Sequence, residues 1–559
     1  MATLYITAYK DSNDSNGTLL FNIETLITIF IYQLSSSKVK LHISIIHEAS
    51  KEPLISCCIQ NIEYQTASVI PKIATYCKWP VLILENHAIA GLCSVSRQLL
   101  KLSHRNDIKA LLGFKEACLA ACSENSVWTR FCEVDAVSMI KRILNKDNFA
   151  TDILTIPEEV ARFEYHLSKP VKMHNIYKVA RQKNNDKNLK SSIPKEELNL
   201  EHHFGEGTTI TLADVILYPS FKIFFSMISK QKIEDKLPLT LDWLARLDNS
   251  GLPELCLNLP ALNEDIKEVI LPAFERQSLY TSDPARYKPQ KRIYTKQIDI
   301  EKVLSCFPQE SMNTFFPFGH EVEFTWTKVP LAANPNGGSL PEKRANRKCE
   351  QLENLAKAVI KLAGDKQYTI VDFCSGSGHV GILVAVLLPQ CQVVLVENKE
   401  QSLSRAHERI IKLGLHNVTI VQSNLDYFTG SFDIGIALHA CGVATDLVID
   451  KCLLTKAHFV VCPCCYGGVK NCVGISYPRS EKYKKLGITY EDYLVLAHSA
   501  DQTHEADNAK TNQGYLCMDL VDTDRKTYAE SNNYAVHLGK LQPTHCTNKN
   551  NLLVGIYKN

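Results

Sequence analysis

No apolar run in this chain of 559 residues is long enough to span a bilayer. The most apolar early stretch, residues 18–34, is interrupted by Asn22 and Glu24 and reads as a buried helix. Nor does MATLYITAYKDSNDSN read as a secretory leader, because it has no basic stretch running into an apolar one. The expectation is a cytoplasmic protein without a membrane anchor. Charge of one sign is also lacking. The 62 Lys and Arg nearly balance the 60 Asp and Glu, so only a local basic face could argue for nucleic acid. Twenty cysteines would suggest disulfides in a small secreted protein, but here they are scattered through a large chain. Many sit in apolar runs, as Cys57, Cys58 and Cys132 do, and reduced thiols acting as small hydrophobes are expected. No repeat of fixed period is present.

What is there exceeds one ordinary core. Residues 1–100 read as a small α/β unit: strand LYITAY, an apolar helix, strand KLHISIIH, then CKWPVLILENHAIAGLCSVSRQLLKL, an extended run leading into a helix. Residues 101–275 turn helical, with apolar positions at helical spacing over 110–121, 127–144 and 212–228. The polar, Lys- and Asn-rich stretch 175–195 reads as a solvated loop between helices. Residues 283–297, DPARYKPQKRIYTKQ, are basic and proline-marked and place a connection at 276–345. A second turn-rich segment, ANPNGGSLPEKRANRKCEQLENLAKAV, passes into an amphipathic helix that opens a last domain at 346–559.

That last domain carries the chemistry. In YTIVDFCSGSGHVGILVAVLLPQ a strand ends at Asp372, a loop holds Cys374, Gly376 and Gly378, and a helix runs to Pro389. Glycines let the backbone turn sharply and approach a ligand, and the helix N-terminus offers free amides. One βα unit later CQVVLVEN ends in Glu397, placed to accept hydrogen bonds from ribose hydroxyls. A third strand, NVTIVQ, is followed by Asn424 and Asp426, suited to an adenine edge. Gly381 gives the glycines a spacing shared with dinucleotide sites, so the order of strand ends carries more weight than the glycines.

DFCSGSG resembles the D/E-x-x-x-G-x-G loop of class I S-adenosylmethionine-dependent methyltransferases. Two further strand ends, HACG-x-x-TD at 439–446 and CPCCYGG at 462–468, resemble a branch in which such a domain is fused to a glutathione-transferase-like N-terminal half. The likeness to a tRNA 2′-O-methyltransferase family is more distant. The resemblance implies S-adenosylmethionine as cofactor, held by Asp372, Cys374, Gly376, Gly378, Glu397, Asn424, Asp426 and His439. It also implies that the HACG loop faces the transferred methyl group, with His439 or Asp446 as candidate general base. Beside those roles stand a structural histidine at 439 and a helix cap at 446. An N/D-P-P-Y/F motif is absent at 438–442, against an amino group on a base as target. Cys462, Cys464, Cys465 and Cys472, with Cys441 or His458, invite a metal, but their spacing is not a zinc pattern and C-x-C-C on a strand alternates faces, so no metal is expected. Arg344, Arg347 and Lys348 read first as a solvated helix face and second as a contact for phosphate or RNA.

The N-terminal half resembles glutathione transferases. FGEGTTITLADVILYPSFKIFF, with Thr211 and Asp214 at capping-box spacing, and PLTLDWLARLDN around Trp243 are similar to their helical domain over about 101–271. WPVLILENHAIAGLCSVSRQLL resembles their thioredoxin-like half, with Pro80 at the cis-proline position. Where those enzymes place Glu/Gln-Ser for the γ-glutamyl group, this chain has Cys93-Ser94, and Tyr5, Tyr9 and Ser12 offer no secure nucleophile. The fold class expected is therefore multidomain α/β: thioredoxin-like, then all-α glutathione-transferase-like, then a doubly wound Rossmann-type sheet. The function expected is methyl transfer to an unidentified acceptor, RNA among the candidates, with the N-terminal half docking a protein partner or a second copy. A non-catalytic cofactor-binding scaffold and a glutathione-dependent transferase are the alternatives.

Overall fold

The computed structural model describes the chain except at residues 1, 11–18, 48–49, 51, 58–62, 68, 86, 124–125, 146–152, 173–174, 186–187, 199, 229–231, 256, 260–267, 275, 281–295, 309–315, 339–340, 473, 504–507 and 559. It divides into two compact units, Met1–Tyr287 and Lys288–Asn559.

In the first unit, β1 (Thr3–Lys10) leads through α1 (Ile23–Ser35) to a parallel neighbour, β2 (Lys40–Ile46). The expected buried helix is α1, started by the Asn22 side chain accepting from the Thr25 amide. The extended run after Lys78 is a hairpin, β3 (Val81–Leu84) and β4 (His87–Ala90), whose first strand pairs antiparallel with β1. The order is thus β2-β1-β3-β4, with α2 (Leu92–Lys101) after it and a cis Trp79–Pro80 bond before it. Helices follow, among them α3 (Ala136–Leu144), α4 (Glu158–Leu167), α5 (Leu212–Ser226) and α6 (Pro238–Asp248). The Asp214 carboxylate takes the Thr211 amide at the start of α5 and also the Trp243 indole N–H of α6 at 2.8 Å, so one buried acid caps one helix and anchors the next.

Two readings of this unit are corrected. Residues 111–121 are turns and a one-turn helix, because positive φ at Gly113, Lys115, Glu116 and Leu119 breaks the helix that the apolar spacing suggested. Conversely, the stretch 175–195 contains a helix, Ile176–Lys183, whose Ile176 and Ala180 bury against Val171, Leu198 and Leu200.

The second unit opens with α7 (Gln297–Leu304) and α8 (Glu342–Ala363). Five parallel strands follow: β5 (Thr369–Phe373), β6 (Gln392–Glu397), β7 (Val418–Gln422), β8 (Ile434–Cys441) and β9 (His458–Cys464). Helices α9 (His379–Leu387), α10 (Glu400–Leu413) and α11 (Val443–Thr455) connect them. After α12 (Tyr490–Ser499) and α13 (Ala509–Glu530) an antiparallel pair, β10 (Tyr534–Lys540) and β11 (Asn551–Tyr557), completes the sheet. The order is β7-β6-β5-β8-β9-β11-β10, with β11 antiparallel to β9. Strands β5 and β6 are near-continuous apolar runs because helices cover both faces of a parallel sheet. The chain winds outward from β5 to β7 and then returns to β8 beside β5, which opens a crevice at the carboxyl ends of β5 and β8.

The connection read at 276–345 is only partly one. Residues 281–295 lie outside the described residues, but Ile300 and Val303 of α7 are buried with Tyr493 and Leu496, and Val329 and Ala333 join the core under β5. Among the described residues no helix is long and apolar enough to cross a membrane.

Candidate functional site

The loop after β5 shows why its glycines differ. A Cβ at Gly381 would lie 2.3 Å from Leu395 Cδ2, and one at Gly378 2.8 Å from Leu395 Cδ1, so these two serve the close packing of helix on sheet. A Cβ at Gly376 would meet nothing within 4 Å, yet its φ is +55°, so this glycine turns the chain in front of open space. Asp372 is buried below, where its Oδ2 accepts the Gly381 amide at 2.9 Å. Burial raises its carboxyl to about 7, against the Gly381 amide and the Lys348 charge, which favour the anion.

Glu397 Oε2 accepts the Gly376 amide at 2.9 Å, while Oε1 accepts the amides of Asn398 and Lys399. The acidic end of β6 therefore fixes the glycine loop. Asn424, past the end of β7, is buried and its Oδ1 faces Asn398 Nδ2 at 3.3 Å. Cys374 is half-buried at φ 53° in the loop, and Asp426 is exposed on a single turn of helix. Among the described residues, four buried polar atoms at the carboxyl ends of β5, β7 and β8 have no hydrogen-bond partner: Ser375 Oγ, Gln422 Oε1, Ser423 Oγ and His439 Nδ1. Buried groups of this kind are usually satisfied, and several left open at the carboxyl ends of one parallel sheet fit a polar ligand.

His439 stands at the end of β8 with φ 64°. Its ring is oriented by a residue the sequence did not single out. Gln351 of α8 donates its Nε2–H to the Cys546 carbonyl at 2.8 Å, which turns Oε1 to His439 Nε2 at 2.9 Å. Nε2 is thus the donor and Nδ1 keeps its lone pair. Burial and then the Lys348 charge push this imidazole down to about 4, so it is neutral at pH 7.

Asp446 is not in the crevice, and this corrects its reading as a base or a cap. It is 1% exposed; Arg525 of α13 reaches it at 2.6 Å and Tyr477 Oη donates to it at 2.7 Å. Arg525 also binds Asp522, which accepts from Tyr466 and Asn551. No sequence motif marks this network, because its members lie up to 105 residues apart, from Asp446 to Asn551.

Of the thiols weighed as ligands, Cys441, Cys464 and Cys465 meet, whereas Cys462 is buried against the Lys549 carbonyl, Cys472 bridges to Ile475, and His458 accepts the Tyr557 amide. Arg344, Arg347 and Lys348 line a cavity of about 390 Å³ with Gln351, Thr547 and Asn548. In the first unit the buried Glu133 carboxylate accepts the Cys93 amide at 3.1 Å at the start of α2, Tyr5 is buried against Trp79, and Ser12 lies outside the described residues.

A family model described as a methyltransferase domain matches residues 347–472. The chain is 39% identical to the glutathione S-transferase C-terminal domain-containing protein homolog of Drosophila melanogaster, over 97% of each chain. It is 33% identical to the human glutathione S-transferase C-terminal domain-containing protein over 98% of each. Among solved structures, magnesium protoporphyrin IX methyltransferase from Synechocystis with bound SAM is 10% identical, covering 41% of this chain and 90% of that one with a TM-score of 0.26.

Proposed function

This chain belongs to the family of glutathione S-transferase C-terminal domain-containing proteins, and we propose that its second unit binds S-adenosylmethionine across the ends of β5 to β7 and transfers the methyl group. The observation that carries this reading is the set of buried atoms without a partner among the described residues, Ser375 Oγ, Gln422 Oε1, Ser423 Oγ and His439 Nδ1, at the carboxyl ends of β5, β7 and β8, together with the Gly376 turn. In this reading the Glu397 carboxylate holds the ribose hydroxyls, the Gly376 turn lets the backbone approach the cofactor, and Gln422, Ser423 and Asn424 meet the adenine. The cofactor supplies an electrophilic methyl carbon on a sulfonium. The chain's own contribution is to hold the acceptor in line and remove its proton, and His439 Nδ1, neutral and bare, is the base.

The cations Arg344, Arg347 and Lys348 beside Gln351 favour an anionic acceptor, RNA among the candidates. The order β2-β1-β3-β4 supports a thioredoxin-like first domain followed by a transferase-like helical one, kept for docking or dimerisation. Glutathione chemistry is disfavoured because Glu133 already occupies the start of α2, where an anionic ligand would otherwise be drawn.

Calorimetry with S-adenosylmethionine and S-adenosylhomocysteine tests the cofactor site. Binding heat is expected from the wild type and none from Gly376→Arg, with thermal melting showing both folded; no heat from the wild type overturns the reading. Labelled methyl transfer onto cell extract, followed by nuclease or protease, then identifies the acceptor class.

A further inference from the structure

Cys441, Cys464 and Cys465 bring their Sγ atoms within 4.8 Å of one another, with Cys464 and Cys465 at 3.5 Å. The backbone explains how. Register pairs Cys441 at the end of β8 with Cys464 at the end of β9, which sets one thiol from each strand side by side. On an extended chain Cys465 would point to the other face. It takes φ 48° and ψ 58° instead, a left-handed conformation that brings its side chain back beside Cys464. Such a conformation is unfavourable for a residue with a side chain and marks sites where geometry is imposed. Gly442 closes the arrangement. Its amide donates to the Cys464 carbonyl at 3.0 Å, and a Cβ there would lie 2.5 Å from the Gly468 carbonyl oxygen.

We propose that Cys441, Cys464 and Cys465 are the protein ligands of a Zn²⁺ ion, with the fourth coordination position open to water or a substrate heteroatom. A tetrahedral zinc with bonds of about 2.3 Å sets its sulfurs roughly 3.8 Å apart, so the three thiols need only small adjustments. Among the described residues three sulfurs meet without a fourth protein ligand, which is the arrangement of an open site rather than a closed structural one. Cys441 and Cys465 are exposed and Cys464 half-buried, so the ion has a path in. None of the three is in a disulfide. The zinc proposal does not rest on the cofactor reading, and either can fail without the other.

The test uses the full chain, reduced, loaded with Zn²⁺ and dialysed against metal-free buffer. About one zinc per chain is expected by mass spectrometry for the wild type and for Cys306→Ser, whose thiol is exposed elsewhere. The double variant Cys441→Ser/Cys465→Ser should retain less than one tenth of that. Loading with Co²⁺ should give intense thiolate charge-transfer absorption in the wild type and none in the double variant. Because both substitutions are at exposed positions, melting curves of the metal-free proteins should overlap and separate metal loss from unfolding. Equal zinc in wild type and double variant, or no zinc in either, overturns the proposal.

Discussion

At the scale of single residues, Gln351 decides which nitrogen of His439 is free, because its Oε1 holds Nε2–H. Replacing it with methionine removes the acceptor for Nε2–H, so the two tautomers mix and the base is misaligned. A fall of about tenfold in methyl-transfer kcat is expected for Gln351→Met, with the calorimetric Kd for S-adenosylmethionine unchanged. Gln351→Glu should restore the orientation while placing a carboxylate beside the ring, which raises the imidazole from about 4. Protonation then sets in at higher pH, so the acid limb of the rate profile moves upward; an unmoved limb would remove His439 from the reaction. Asp372 gives a stability signal of its own. Its folded-state pKa of about 7 lies above the ordinary carboxyl value, so the folded chain holds a proton that the unfolded chain releases between pH 4 and 7. The wild type is therefore penalised progressively as pH rises through that window. The melting temperature of Asp372→Asn relative to wild type should climb from pH 4 to 7 and level off above, and a flat difference would contradict the burial argument. The positions of Asp372, Glu397 and Asn424 at or just past successive strand ends were legible in the sequence, because apolar runs beside a glycine turn have few alternatives. Gln351 was not, because its partner is 88 positions away and no local pattern links a helix glutamine to a loop histidine.

At the scale of elements, the Arg525 network ties α13 to the first turn of α11, to the CPCCYGG loop through Tyr466 and to β11 through Asn551. All of it is out of water, so its worth lies in completeness rather than in the ion pairs alone. Arg525→Met strips the counter-charge from Asp522 and leaves Asp446 only Arg479 at 4.0 Å, and about 3–5 kcal/mol of stability should be lost in urea unfolding. Asp446→Asn keeps the shape and one acceptor, and should melt lower while leaving kcat per folded molecule within about twofold of wild type. A folded Asp446→Asn protein that has lost turnover would return Asp446 to the reaction. The sequence invited that role because an acid in the first turn of a helix is a usual capping or catalytic signal, whereas its partner comes 79 residues later. The same limit appears in the thiols: alternation along a strand separates Cys464 from Cys465, and only the left-handed turn at Cys465 overrides it. Helix spacing over 110–121 failed for a related reason, since apolar periodicity carries no information about the positive φ at Gly113 and Leu119.

At the scale of the whole molecule, the basic, proline-marked stretch 283–297 brackets the division between Tyr287 and Lys288, and composition was enough to find it. Composition did not show where the second unit's core begins. Ile300, Val303, Val329 and Ala333 all precede residue 346 and are buried in that unit, and burying each of the larger ones is worth about 1.5–3 kcal/mol. Their sum approaches the whole stability of an ordinary domain, about 5–15 kcal/mol. The preceding segment also reaches the site, because Arg409 donates to the Ala332 carbonyl and to the Ser377 carbonyl of the glycine loop, both at 2.9 Å. A protein of residues 288–559 should therefore unfold in one cooperative transition and bind S-adenosylmethionine within about threefold of the full chain. One of residues 346–559 lacks both the apolar cover and the Arg409 tether, and should melt without a sharp transition and give no binding heat. If the shorter protein were as stable and as competent as the longer, the segment before 346 would be the mere connection that its turn-rich sequence suggests.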